Sequence, residues 1–291
     1  MKSSDLLRLI LLAAIWGGSF AFMRVLAPVL GPVLTAELRV LIAGLALLGF
    51  FVLTGFDMQW RNHWKLYLLI GALNSALPFF LFSFAARHIP ASYSVILNSA
   101  SPLFGAIFSA IWLGDRLNWS RVLGLVVGAS GVFLVANVKP AEVDSYFLLS
   151  ILACLLATVC YGFTATYIKR FGKDAPPRAI AGASQLSAAM VLLPAVPFAW
   201  PQATVTLTIV LNVLGLALLC SAIAYLLYYR LIANIGPTKA LTVTFLMPAF
   251  GMLWGALFLG EKITLPMIAG TLLILIGTGL VLRVFKRKTA A

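Results

Sequence analysis

Apolar residues run through this chain in blocks of about twenty, separated by short breaks rich in Pro, Gly and charge. A hydrocarbon core about 30 Å thick needs roughly 20 residues of helix to cross it. Ten blocks of that size are present, at 6–24, 33–54, 65–86, 91–113, 120–137, 147–168, 179–200, 206–230, 237–259 and 264–284. The breaks carry Pro28 and Pro32, Asp57 to Lys65, Pro90, Gly114-Asp115, Pro140 to Asp144, Pro176-Pro177, Pro201, Gly236-Pro237 and Gly260-Glu261. Such residues interrupt or end helices. Strands of a membrane barrel would alternate apolar and polar positions, and these blocks do not. The pattern predicts an all-α polytopic membrane protein with ten transmembrane helices.

Composition agrees. Of 291 residues, 62% are hydrophobic and 10% charged, more apolar side chain than a water-soluble fold of this size could hide. A formal net charge of +13 could suggest nucleic acid, but the basic residues sit singly or in short clusters between apolar blocks. There they serve orientation. With the N-terminus inside, sixteen Lys and Arg fall on the cytoplasmic side and four outside, with Arg39 within a block. That segregation places both termini in the cytoplasm. Trp60, Trp64, Trp119 and Trp200 fall near block ends, as interfacial aromatics should. Cys154, Cys160 and Cys220 all lie in apolar blocks and read as small buried hydrophobes. The first block is span-length and lacks a clear signal-cleavage site, so it is expected to stay as a helix.

The chain repeats itself. PLFGAIFSAIWLGDRL from Pro102 matches PAFGMLWGALFLGEKI from Pro248 at an offset of 146 residues. The offset superposes Gly105 on Gly251, Asp115 on Glu261, Gly124 on Gly270 and Gly131 on Gly277; Trp16-Gly17 matches Tyr161-Gly162 at 145. Residues 1–140 and 141–291 therefore form two units of five spans each. Five is odd, so the second unit enters the membrane in the opposite sense, the arrangement of carriers that alternate access around a site between repeats.

The WGGSF of residues 16–20, the ELR of 37–39, and the paired LGDRL and LGEKI turns resemble the EamA family of the drug/metabolite transporter superfamily. The resemblance covers essentially the whole chain. It implies a ten-helix metabolite carrier or exporter of the bacterial inner membrane, with amino acids among the common substrates of the family. The second half departs from the pattern, with Gln185 at the position of Arg39 and Met247 at that of Ser101.

Polar residues inside the blocks are the candidates for a binding site. Ser94, Asn98, Ser101, Gly105 and Ser109 share one stripe of the fourth helix, and Thr244 is the repeat mate of Asn98. Such a stripe must face other helices or water. Arg39 lies two turns into the second helix, where an unpartnered charge costs at least about 2–3 kcal/mol. Three readings stay open for it: snorkelling, a structural bond to carbonyls, or contact with an anionic substrate group. Glu37, one turn from the surface, is expected at the interface, with a proton relay as the alternative. Trp16, Phe79, Tyr161 and Tyr225 are repeat-related aromatics suited to a pocket wall, and Asn74 and Gln185 complete the polar set. Pro78, Pro102 and Pro248 each remove a backbone hydrogen bond and favour kinks that could gate a cavity or simply be static. Asp115 and Glu261 are expected to cap the helices that follow them, with a gating salt bridge as the alternative.

The function expected is secondary transport of small metabolites between lipid-embedded halves, by a monomer or homodimer, without metal, cofactor or nucleic acid. No Walker A loop, H-E-x-x-H or paired carboxylates occur in the sequence. An uncoupled facilitator, a membrane enzyme and an assembly subunit are the alternatives.

Overall fold

The computed structural model describes residues 2–115, 118–136, 145–236 and 240–282. Arg116, Lys139, Pro140 to Asp144, Pro237, Lys239, the C-terminal basic cluster and the boundary between residues 140 and 141 lie outside them.

Pro28 and Pro32 do not separate two helices by a loop. Helix α1 (Ser3–Leu53) runs through both, and its continuity fails at one residue, Gly31, with φ 75° and ψ 168°. Glycine adopts that conformation without a Cβ penalty, and Pro32 has no N–H to lose there. The turn is sharp. Arg39 Nη1 comes within 3.7 Å of Met23 Sδ, although sixteen residues of straight helix would hold them about 24 Å apart. The two arms of α1 therefore lie side by side, as the first two apolar blocks predict.

The remaining helices follow in order: α2 (Trp60–Gly71), a π-helical stretch (Ala72–Ala76), α3 (Leu77–Ala85), α4 (Ala91–Asn98) and α5 (Ser101–Leu113). After these come α6 (Trp119–Ala136), α7 (Ser145–Phe171), α8 (Pro177–Leu192) with a 3-10 extension (Leu193–Phe198), and α9 (Leu207–Leu214). A second π-helical stretch (Gly215–Ile223) leads into α10 (Ala224–Ile235), and α11 (Val243–Leu259) and α12 (Leu265–Val281) complete the order. Among the described residues, seven helical stretches, counting continuous runs such as Trp60–Ala85 and Leu207–Ile235 once, are long and apolar enough to cross a membrane; α11 and α12 are apolar and shorter. The third block starts earlier than expected, at Trp60, because the charged segment 61–65 is already helical.

All three prolines lie within helical runs, as expected, and two of them stand beside an irregularity. Pro248 sits inside α11. Pro102 opens α5 after a break at Ser99–Ala100, and Pro78 opens α3 after the π-helical stretch. Each irregularity includes or adjoins the residue four before the proline, Asn74 or Asn98, whose carbonyl has no proline N–H to accept.

The surface is apolar and the interior small. Along α6, Val126 and Phe133 are 62% and 70% exposed while Gly124, Gly128 and Gly131 are buried. This inverts the rule for water-soluble folds and suits a lipid solvent. The glycine face meets α12 closely. A Cβ on Gly124 would lie 2.6 Å from the Gly277 carbonyl oxygen, and one on Gly131 would lie 2.7 Å from that of Gly270.

Candidate functional site

Close packing at the periphery leaves a large cavity of about 980 Å³ among α1, both π-helical stretches, α3, α4, α5, α7, α10 and α11. Its lining includes Trp16, Arg39, Asn74, Phe79, Asn98, Ser101, Pro102, Tyr161, Tyr225 and Thr244, all singled out in the sequence. Ser19, Phe20, Met23, Phe82, Cys220 and Tyr228 also line it and were not anticipated. Their signal is helical spacing. Ser19, Phe20 and Met23 stand three, four and seven residues after Trp16, while Phe82 and Tyr228 follow Phe79 and Tyr225 by three. Gln185, Pro78 and Pro248 do not line the cavity.

Aromatic rings build the wall. Trp16 packs edge-on to Tyr225 at 6.2 Å and tilted against Tyr228 at 5.2 Å, and Phe82 meets Phe20 at 5.2 Å and Tyr161 at 6.2 Å. Arg39 holds its guanidinium 3.7 Å over the centre of the Phe79 ring and donates from Nε to Ser221 Oγ at 3.0 Å. It is 5% exposed, so it does not snorkel, and its structural bond goes to a hydroxyl and not to backbone carbonyls. Ser221 lies in the second π-helical stretch, a rare local geometry found often at functional sites. Asn98, at the break between α4 and α5, keeps its side-chain oxygen without a hydrogen-bond partner.

Gln185 is fully buried and donates from Nε2 to Ser75 Oγ at 2.8 Å. Gln185 is thus a buried polar residue outside the cavity, its Nε2 on Ser75 and its Oε1 without a hydrogen-bond partner. Glu37 is also buried, at 3%, and not interfacial. The chain after α8 covers this end of α1, with Gln202 N–H donating to the Val29 carbonyl at 2.6 Å.

Contacts are exchanged between positions that the repeat relates, at an offset of 146 residues or, for Gly17 and Gly162, of 145. Arg39 bonds Ser221 while their mates Gln185 and Ser75 bond each other. Gly17 abuts Gly251 while Gly162 abuts Gly105, and the glycine pairs of α6 and α12 cross in the same reciprocal way.

The two ends of the cavity differ. Glu261 does not cap α12, the helix after it. Its carboxylate instead accepts from the Ala91 N–H at 2.6 Å, the Ser92 N–H at 3.0 Å and the Ser92 hydroxyl at 2.6 Å, capping α4. A carboxylate there satisfies orphan amides and meets the positive end of the helix dipole. Asp115 lies beyond the other end of the same rod, whose 23 residues span about 35 Å. It also departs from the expected capping, facing Arg121 at 3.6 Å and Lys169 at 3.9 Å. The cavity reaches Asp115, Arg121 and Lys169 but not Glu261.

Apolar helices wrapped around one elongated cavity, open toward one end, are the architecture of a polytopic membrane transporter. The chain belongs to the EamA-like transporter family, whose model matches residues 4–137 and again 148–283. It is 26% identical to "Uncharacterized transporter YvbV" of Bacillus subtilis (strain 168), covering 100% of this chain and 95% of that protein. It is 27% identical to "Uncharacterized inner membrane transporter YedA" of Escherichia coli (strain K12) over 86% of this chain and 81% of that one. "Protein PecM" of Dickeya dadantii (strain 3937) is 25% identical over 89% and 86%. A solved crystal structure superposes with a TM-score of 0.68 at 17% identity, covering 99% of this chain and 100% of that one, a likeness of fold.

Proposed function

We propose that the protein is a secondary transporter that exports small metabolites, amino acids among them, across the bacterial inner membrane. Ten helices, counting the arms of α1 separately, form two five-helix repeats of opposite orientation that alternate access to the cavity between them. The observation that carries this reading is the reciprocal exchange of contacts between repeat-related positions. If residue i of one unit touches j of the other, the mate of j touches the mate of i, as across a twofold axis. The antiparallel crossing of the α6 and α12 glycines supports an axis in the membrane plane. The end lined by Asp115, Arg121 and Lys169 is cytoplasmic by the distribution of Lys and Arg, so the structure corresponds to an inward-facing state. The inner-membrane assignment agrees with the printed name of the YedA relative.

Reconstituted protein is expected to carry out counterflow of at least one labelled amino acid or similar small amphiphile without nucleotide. Single cysteines at 115 and 261, in a background lacking Cys154, Cys160 and Cys220, are expected to react with impermeant reagent from opposite faces. No counterflow across a broad metabolite panel ends the carrier reading, and labelling from one face ends the inverted arrangement.

A further inference from the structure

The lining of the cavity carries four charged side chains, and three of them, Asp115, Arg121 and Lys169, sit at its mouth. Arg39 is alone in the deep part. Among the described residues no carboxylate lies within salt-bridge distance of it. Glu37 on the same arm is two residues away, about 200° around the helix, and does not line the cavity. A guanidinium in such a place costs at least about 2–3 kcal/mol, and a contact has to justify it.

The internal repeat separates the structural contact from the charge. At the mate position a neutral amide, Gln185, makes the mate bond, donating to Ser75 as Arg39 donates to Ser221. Holding a π-helical serine therefore needs a donor and not a cation. What Arg39 adds is a positive charge presented to the cavity, and Gln185, facing no cavity, has none. With Nε on Ser221, Nη1 beside Met23 and one face on Phe79, the fork retains N–H donors for a ligand.

We infer that Arg39 is the anchor for the anionic group of the transported ligand, and that the cavity selects monocarboxylates carrying an apolar or aromatic body. A carboxylate matches one guanidinium in charge and in its planar, bidentate geometry. A phosphate monoester brings charge that one deep cation leaves unmatched in a low-dielectric site. The body of the ligand would lie against Trp16, Phe82, Tyr161 and Tyr225. This inference rests on the transporter reading for its physiological meaning, while binding itself is measured without transport.

The test compares 3-phenylpropionate with 3-phenylpropanamide, matched in shape and differing in charge, by calorimetric binding to purified protein in micelles. The wild type is expected to bind the carboxylate at least about tenfold more tightly. Arg39→Gln copies the natural mate, keeps a donor for Ser221, and is expected to bring the ratio to about one. Arg39→Lys, which keeps charge without the planar fork, is expected to fall between. A wild type that binds neither probe, or both equally, overturns the inference, as does a folded Arg39→Gln protein that keeps the preference. Should Arg39→Gln fail to fold, the wild-type ratio and Arg39→Lys decide. Preference in micelles without counterflow in liposomes would sink the transporter reading and leave the anchor standing; counterflow without preference would do the reverse.

Discussion

The ends of α5 and α11 share a backbone and differ in what their carboxylates do. Both helices stop at a left-handed glycine, Gly114 (φ 67°, ψ 18°) and Gly260 (φ 64°, ψ 23°), the usual way to close a helix. In both, the N–H of the following acid returns to the carbonyl of the residue six positions back, Asp115 to Ser109 at 3.3 Å and Glu261 to Gly255 at 3.0 Å. From there the side chains part. Glu261 folds back over Gly255 and locks onto the start of α4, whereas Asp115 points to two partly exposed cations. Part of the reason is local. A Cβ at Gly255 would stand 2.5 Å from Glu261 Oε2, so only glycine leaves room for the fold-back, and its mate is Ser109. One end of the α4–α5 rod is held by a charge-assisted, partly buried cap, and the other, which the cavity reaches, by partly exposed ion pairs.

The largest expected effect follows from the cap. Glu261→Ala leaves two amides and a hydroxyl near the start of α4 without their acceptor, at about 1.5–3 kcal/mol. Unfolding by SDS titration in mixed micelles is the measurement, and a loss below about 0.5 kcal/mol would mean the cap contributes nothing at that end. Gly255→Ala is next, at about 1–2 kcal/mol, because the added methyl displaces the same carboxylate. The two changes are expected to be non-additive, the double variant being no less stable than Glu261→Ala alone within about 0.5 kcal/mol. Full additivity would break the link between the glycine and the cap.

Much of this molecule is legible in its sequence. The apolar blocks mark the helices because a bilayer fixes their length, and the small-residue face of α6 is readable because glycine there serves approach and not flexibility. The cavity was partly legible, since Asn74, Asn98, Arg39 and the aromatic mates are costly in lipid and had to face inward. What the sequence did not disclose are partners far apart along the chain. Gln185 looked like a pocket residue until Ser75, 110 residues away, took its amide. Glu37 reads as interfacial because it lies one turn from a block end and nothing local shows that it is buried. The two π-helical stretches carry no compositional mark, and with them went the serines that hold Arg39 and Gln185. The destination of Glu261 was hidden for the same reason, since α4 begins 170 residues earlier.

The smallest effect is expected at the other end, and it sharpens the contrast most. Asp115→Asn keeps size and shape and removes two ion pairs, of 3.6 and 3.9 Å, in which the side chains are 20–64% exposed. Pairs of that kind contribute at most about 1 kcal/mol together and are screened by salt. Raising salt is therefore expected to shrink the difference between Asp115→Asn and wild type toward zero, while the loss in Glu261→Ala persists because its hydrogen bonds go to amides of a packed helix. The same SDS titrations at low and high salt read both. If the Asp115 variant loses as much as the Glu261 variant, or keeps its loss at high salt, the ends are alike in strength and the asymmetry of the cavity needs another cause.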